Sequence, residues 1–188
     1  MVDPKKTRSR SHTREAILEA ACTVLVEKGL EALTLDAVAR EAEVSKGGLL
    51  YHFPNKDALM LGLVNYLADG FERDLQAEFE QDDAPGTPGQ WTRAYIQATL
   101  RFDKQRFALI VSLLNAAAKI PSLLEVVQEH EMRWQQRMQS DSLNPVRATI
   151  AQLAIDGLWF NEVLEMGLDE PLRTQVIEAL MTMTREPN

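Results

Sequence analysis

Residues 34–59 read TLDAVAREAEVSKGGLLYHFPNKDAL, and the punctuation of this stretch decides the fold. Thr34, Ser45 and Asn55 each place a side-chain oxygen just ahead of a helix-compatible run, where it can accept from the first free amides. Pro54 stops the second run, because a proline interrupts the backbone ladder. The spacing predicts two short helices, Thr34 to Ala42 and Ser45 to His52, joined by a tight turn: a helix-turn-helix. Leu35, Val38 and Ala39 face inward from the first, Leu49 and Phe53 from the second. Lys46-Gly47-Gly48 then sits at the start of the second helix. Two adjacent glycines there cost about 1 kcal/mol each in helix propensity, so something other than helix stability selects them. Close approach of backbone to a nucleic acid is one such reason, with Lys46 as a flexible cation and Tyr51 and His52 as polar tips able to donate to phosphates.

Outward from this motif the chain reads as helix almost throughout. Ile17, Ala21, Val24 and Leu25 recur at three- and four-residue steps between Ser11 and Lys28, and Gly29 supplies the stop. After Asn55, the residues Leu59, Leu63, Leu67, Phe71, Leu75 and Phe79 keep a four-residue stride. Each step overshoots a turn by roughly 40°, so the stripe winds about 200° around the helix. Either the helix serves two partners in succession, and can pass a shift between them, or it crosses one continuous core. Residues 82–89 are a loop by composition, and further helices are expected over 90–104, 106–120, 122–140, 145–167 and 170–185, with Pro121, Pro145 and Pro171 at starts. Neither strand-period segments nor internal repeats occur. The fold class is all-α.

The chain has 188 residues with a net charge of −8, which taken alone argues against a polyanionic partner. The distribution says otherwise. Residues 1–56 hold nine Lys/Arg against eight Asp/Glu, and the first fourteen residues carry Lys5, Lys6, Arg8, Arg10 and Arg14 against Asp3 alone. Such an asymmetry marks either a nucleic-acid-binding arm or a solubilising tail. No apolar run reaches the ~18–20 residues of a membrane span, and the charged N-terminus is not expected to act as a signal peptide. A single cysteine, Cys22, within an apolar helical pattern fits a reducing cytoplasm. His12, His52 and His130 are dispersed, Glu129-His130-Glu131 lacks the second histidine of a zinc helix, and no nucleophile elbow or nucleotide loop is present. Neither catalytic residues nor a metal or cofactor are expected.

The runs TREAILEAACTVLVEKG (residues 13–29) and TLDAVAREAEVSKGGLLYHFPNKDAL together resemble the N-terminal domain of tetracycline-repressor (TetR) family regulators. Two positions depart from that pattern. Glu43 stands in the turn where the family usually has glycine, and Leu50 where it often has an aromatic residue. The resemblance implies a homodimer that binds a double-stranded DNA operator. It implies DNA contacts from Thr34, Ser45, Lys46, Gly47, Leu50, Tyr51, His52 and Lys56, with Arg10 and Arg14 binding phosphates or reaching the minor groove. The expected organisation is a basic disordered arm over 1–10, the helix-turn-helix domain over 11–55, and an effector-binding and dimerisation domain over 56–188.

For that last domain the reading rests on periodicity. Val146, Ile150, Leu153, Gly157, Phe160 and Leu164 form a heptad-like seam, while Ile155, Trp159, Val163 and Met166 fall roughly opposite. A helix apolar on both sides needs burial on both, one against its own subunit and one against a second copy. In the last helix Leu172, Val176, Ala179, Leu180 and Met183, beside Ile177 and Met181, repeat the theme. Residues 107–118 are apolar around the whole circumference except Ser112 and Asn115, which predicts the central buried helix. Asp156 sits among apolar neighbours, so it must find a partner or shift its pKa upward. The partner is Asn115 or a backbone amide; alternatively Asp156, with Tyr66, Phe102, Asn115, Trp134 and Trp159, lines a pocket for a small-molecule effector. An acidic, aromatic interior suits cationic amphipathic ligands. A DNA-binding protein regulated by a partner, or without any ligand, would share every N-terminal feature and lack only the pocket.

Overall fold

The computed structural model describes residues 4–118 and 120–185, with side chains from Arg10 onward except that of Val163. These residues form helices and connecting turns, without strands. Helix α1 spans Pro4–Lys28, a 3-10 turn Leu30–Ala32 follows, then α2 (Leu35–Glu41), α3 (Lys46–His52), α4 (Lys56–Glu80), α5 (Gln90–Leu100), α6 (Lys104–Ala117), α7 (Pro121–Ser140), α8 (Pro145–Val163) and α9 (Glu170–Met183). The first departure from expectation lies at the start. Residues 4–10, expected as a disordered arm, continue α1: no glycine or internal proline interrupts the run, and Pro4 suits a first helical turn.

The chain divides into two compact units, and the division falls inside α4. Residues up to Ala68 join Gln105–Val127 in one; Asp69–Lys104 and Gln128–Asn188 form the other. The expected boundary at Asn55 and Lys56 is therefore not where the compact units part. Leu59 and Leu63 are buried in the first unit, and Phe71 and Leu75 are buried in residues of the second. The winding stripe of α4 thus serves two sets of neighbours in succession.

In the first unit, Ile17, Leu18, Val24, Leu25, Val38, Leu49, Phe53, Leu59 and Leu63 close a core to which Leu109, Leu113 and Leu123 also belong. Gly62 is required there: a Cβ at this position would lie 2.6 Å from Phe53 Cε1, too close for any packed pair. Its absence lets α4 seat the residue that ends α3. Cys22 is half-buried, and its thiol is pushed up to about 11 by burial and then by the Glu19 charge, so it stays protonated and unreactive. Helix α6 is not the central buried helix its composition suggests, since Val111 is 41% and Leu114 47% exposed in the subunit.

In the second unit the buried helix is α5, from Gln90 to Thr99. Its small residues Ala94, Ala98, Thr92 and Thr99 permit close packing, and α8 lies against it. Asp141 caps α5 from a distant loop, accepting from the Trp91 amide at 2.8 Å and the Thr92 amide at 3.3 Å. Arg93 is fully buried and gathers the 82–89 loop around itself. It donates to both Asp82 carboxylate oxygens at 2.9 and 2.8 Å, to the Pro88 carbonyl at 2.9 Å and to Thr87 Oγ1 at 3.0 Å. Burial alone would raise the Asp82 carboxyl, but hydrogen bonds from Arg93 and the Ala84 amide, with the Arg93 and Arg185 charges, hold it below the usual value. Helix α8 ends at Val163 rather than 167 because Glu165 turns left-handed (φ 58°) and the Met166 amide closes back on the Asn161 carbonyl. Met166 is consequently exposed past the helix end rather than on its inner face, where Ile155 is buried; the Val163 side chain lies outside the described residues.

Candidate functional site

The three oxygens expected to cap helices do so. Thr34 Oγ1 accepts from the Ala37 amide at 3.1 Å, Ser45 Oγ from Gly48 at 3.1 Å, and Asn55 Oδ1 from Ala58 at 2.8 Å. Between α2 and α3, Glu43 adopts φ 53°, the left-handed conformation expected of a glycine. Its amide bonds the Arg40 carbonyl at 3.2 Å and the Val44 amide bonds Ala39 at 3.0 Å, a Schellman closure that fixes the turn despite the unfavourable residue.

This frame orients α3. Leu49 and Phe53 are buried, which turns Lys46, Gly47, Leu50 and Tyr51 outward; Tyr51 is 61% exposed. A Cβ on Gly47 would meet nothing within 4 Å, whereas one on Gly48 would crowd Ser45 Oγ at 3.2 Å. The two glycines therefore differ: Gly48 accommodates the cap, and Gly47 leaves the outer face bare. Helix α1 brings Arg10 4.9 Å from the Tyr51 ring and Arg14 5.2 Å from the Phe53 ring, within cation–π range. His52 is half-buried, and burial followed by the Arg10 and Arg14 charges lowers its pKa. It is neutral at pH 7. Lys56 is engaged inside the unit, its ammonium donating to the Leu30 carbonyl at 3.2 Å. Lys46 pairs with Asp36 on α2 at 2.9 Å, a partner that no local pattern singles out.

In the second unit, four of the six expected effector residues lie in one neighbourhood. Phe71 stacks on Phe102 (centroids 5.2 Å) and meets Trp134 (4.7 Å) and Tyr95 (5.4 Å) edge-on, while Trp159 lies 5.6 Å from Phe102. Asp156 finds its partner in Tyr95, whose hydroxyl donates to the carboxylate at 3.0 Å, and not in Asn115. Asn115 is exposed on α6 in the first unit, and Tyr66 is half-buried against that unit's core. Burial raises the Asp156 carboxyl to about 6 despite the Tyr95 bond. Glu131 is an exposed residue overall, yet desolvation of its carboxyl and then the Asp156 charge push it up to about 7. Trp134 Nε1 donates to Glu72 at 3.1 Å, and Arg137 pairs with the same carboxylate.

Phe71, Tyr95 and Glu131 were missed as members of this neighbourhood. Phe71 was visible only as a stripe residue of α4. Glu131 stands three residues before Trp134, hence on the same face of α7, which is a legible signal. Tyr95 had none, because α5 gives no hint of lying so deep.

A capped helix-turn-helix whose second helix keeps its outer face clear, on a chain whose described residues form only helices and turns, is the architecture of a DNA-reading regulator. Residues 17–63 match the family described as Bacterial regulatory proteins, tetR family, and residues 89–185 match the Tetracyclin repressor-like C-terminal domain. The chain belongs to the TetR family, whose members are DNA-binding transcriptional regulators and not enzymes. RutR of Escherichia coli K12 is 37% identical over 81 residues, 43% of this chain; the match spans only 38% of RutR. A TetR-family structure from Streptomyces coelicolor A3 superposes with TM-score 0.69 at 26% identity, covering 92% of this chain and 98% of that one. The multidrug binding protein EbrR, solved in complex with ethidium, gives TM-score 0.67 at 25% identity over 92% of this chain and 98% of its own. Among the described residues no helix is long and apolar enough to cross a membrane.

Proposed function

We propose that the chain is a cytoplasmic homodimeric repressor that binds a near-palindromic operator and is released by a small-molecule effector. The observation that carries this reading is the outward face of α3, from Lys46 to Tyr51, held clear by the Ser45 cap and the buried Leu49 and Phe53. In a dimer two such helices enter successive major grooves at a spacing of ~34–36 Å. Lys46, Gly47, Leu50 and Tyr51 meet the groove, while Thr34, Ser45, His52, Arg10 and Arg14 serve the flanking phosphates. Lys56 contributes by fixing the start of α4 rather than by reaching DNA.

The dimer is supported by the seam of α8. Val146, Ile150, Leu153, Phe160 and Leu164 are between 47% and 68% exposed, whereas Ala148, Ala151, Ile155 and Leu158 on the other side are buried. A contiguous apolar row of this size is rarely left in water, and a second copy supplies an identical row.

Effector binding is assigned to the Asp156, Phe102, Trp134 and Trp159 neighbourhood, with Tyr95 and Glu131 added. Carboxyls among aromatic rings favour a cationic amphipathic ligand, and ethidium, held by EbrR, is an aromatic cation. Release requires the ligand to prefer one of two states; each 10-fold preference is ~1.4 kcal/mol of coupling. Three experiments test the reading. Lys46→Ala weakens operator binding at matched salt and leaves the dimer intact; wild-type operator affinity in the variant removes α3 from the interface. Calorimetry gives tighter binding of ethidium than of laurate, and a preference for laurate rejects the cationic class. Ligand-induced release from DNA separates this mechanism from ligand-independent regulation.

A further inference from the structure

The ion pair between Lys46 and Asp36 lies on the very surface assigned to DNA, and nothing in the packing demands it. Lys46 Nζ is 2.9 Å from Asp36 Oδ1 and 3.1 Å from Oδ2. Both side chains are more than 60% exposed, so neither fills space nor satisfies a buried group. Arg40, one turn along α2, uses its Nε on the Asp36 carbonyl at 3.4 Å. Asp36 is thus an acid in the first turn of α2, next to the surface that must accept a polyanion. For a DNA reader that is a costly place for a negative charge unless the charge has a task.

Resting on the reading of α3 as the recognition helix, we propose that Asp36 is a specificity-determining residue: it holds Lys46 in place of a phosphate and withholds it from random-sequence duplex. A carboxylate and a phosphodiester offer the same anionic oxygens to an ammonium. A loosely docked, non-specific complex leaves the intramolecular pair intact and gains nothing from Lys46. Only a fully seated complex, with base contacts drawing α3 into the groove, exchanges Asp36 for DNA. Non-specific affinity is held down, and discrimination rises by the net worth of that exchange.

The test needs no operator, because the effect is expected on random-sequence duplex. Binding is measured as a function of salt for wild type, Asp36→Asn, Lys46→Ala and the double variant. Asp36→Asn binds several-fold more tightly than wild type at ~100 mM salt, and its slope of log K against log salt steepens by about 0.9 per subunit, one more phosphate neutralised. In the Lys46→Ala background the same Asp36→Asn change has no comparable effect, which the double-mutant cycle isolates. An equal gain with and without Lys46 reports only the loss of a negative charge and overturns the proposal. So does an Asp36→Asn variant with wild-type affinity and slope. If Lys46→Ala weakens binding in the Asp36→Asn background while that outcome holds, the recognition helix stands and only the role of Asp36 falls. If Lys46 matters in neither background, both fall.

Discussion

Glu43 carries the turn between α2 and α3 at φ 53°, a conformation that costs a residue with a Cβ about 1 kcal/mol. Glu43→Gly is therefore expected to stabilise the protein by about 1 kcal/mol, read as an upward shift in thermal midpoint; a lower midpoint contradicts the strain. Asp156 and Glu131 lead to a prediction of opposite character. Their carboxyls rise from ordinary values of 3.8 and 4.5 to about 6 and about 7 on folding. The folded state holds the protons more tightly, so the stability these groups lend is complete below about pH 4. It is lost as the pH climbs through 6 and 7. Wild type accordingly loses more stability between pH 5 and pH 8 than Asp156→Asn/Glu131→Gln does, and parallel profiles refute the assignment. That Asp156 is out of place was legible from its neighbours in the helical wheel. That its partner is Tyr95 was not, because a hydrogen bond between residues 61 positions apart is set by packing rather than by local pattern.

At the level of elements, the helix-turn-helix was legible because each of its determinants is local. Thr34, Ser45 and Asn55 can cap only what immediately follows them, and all three do. The C-terminal helices were legible in extent but less so in placement. The run 107–118 has the apolar composition of a central helix, yet Val111 and Leu114 face solvent in the subunit; composition records how much surface a helix wants covered, not by what. Conversely α5 contains Arg93, which by residue type belongs at the surface. It is buried only because the 82–89 loop folds over it and Asp82 meets it bidentately. Removing one member of a fully buried pair strands the other, so Arg93→Met is expected to cost about 3–5 kcal/mol in denaturant unfolding. A loss below 1 kcal/mol refutes its role as the lock on this loop. The α8 seam makes a separate prediction. Leu153→Glu places a charge in the exposed apolar row and converts a dimer to monomers in sedimentation, without loss of helicity. A dimer that survives the change lies elsewhere.

For the whole molecule, the sequence places a boundary at Asn55 and Lys56, whereas the compact units part inside α4, after Ala68. The change of partner along α4 was legible in the drift of its four-residue stride, from Leu59 and Leu63 to Phe71 and Leu75. The return of residues 105–127 to the first unit was not, since no local signal tells a helix which earlier segment it will rejoin. The aromatic cluster around Asp156 was half legible for the same reason: Phe102, Trp134, Asp156 and Trp159 come together in one unit, and Tyr66 and Asn115 belong to the other. On the proposed reading, α3 reads DNA and two copies read it together. Selection of bound sequences from a random duplex library tests this most directly. Enrichment of an inverted repeat whose half-sites lie one helical turn apart, or a multiple of it, is the predicted result. A pool that stays random, or that converges on a single asymmetric half-site, contradicts it.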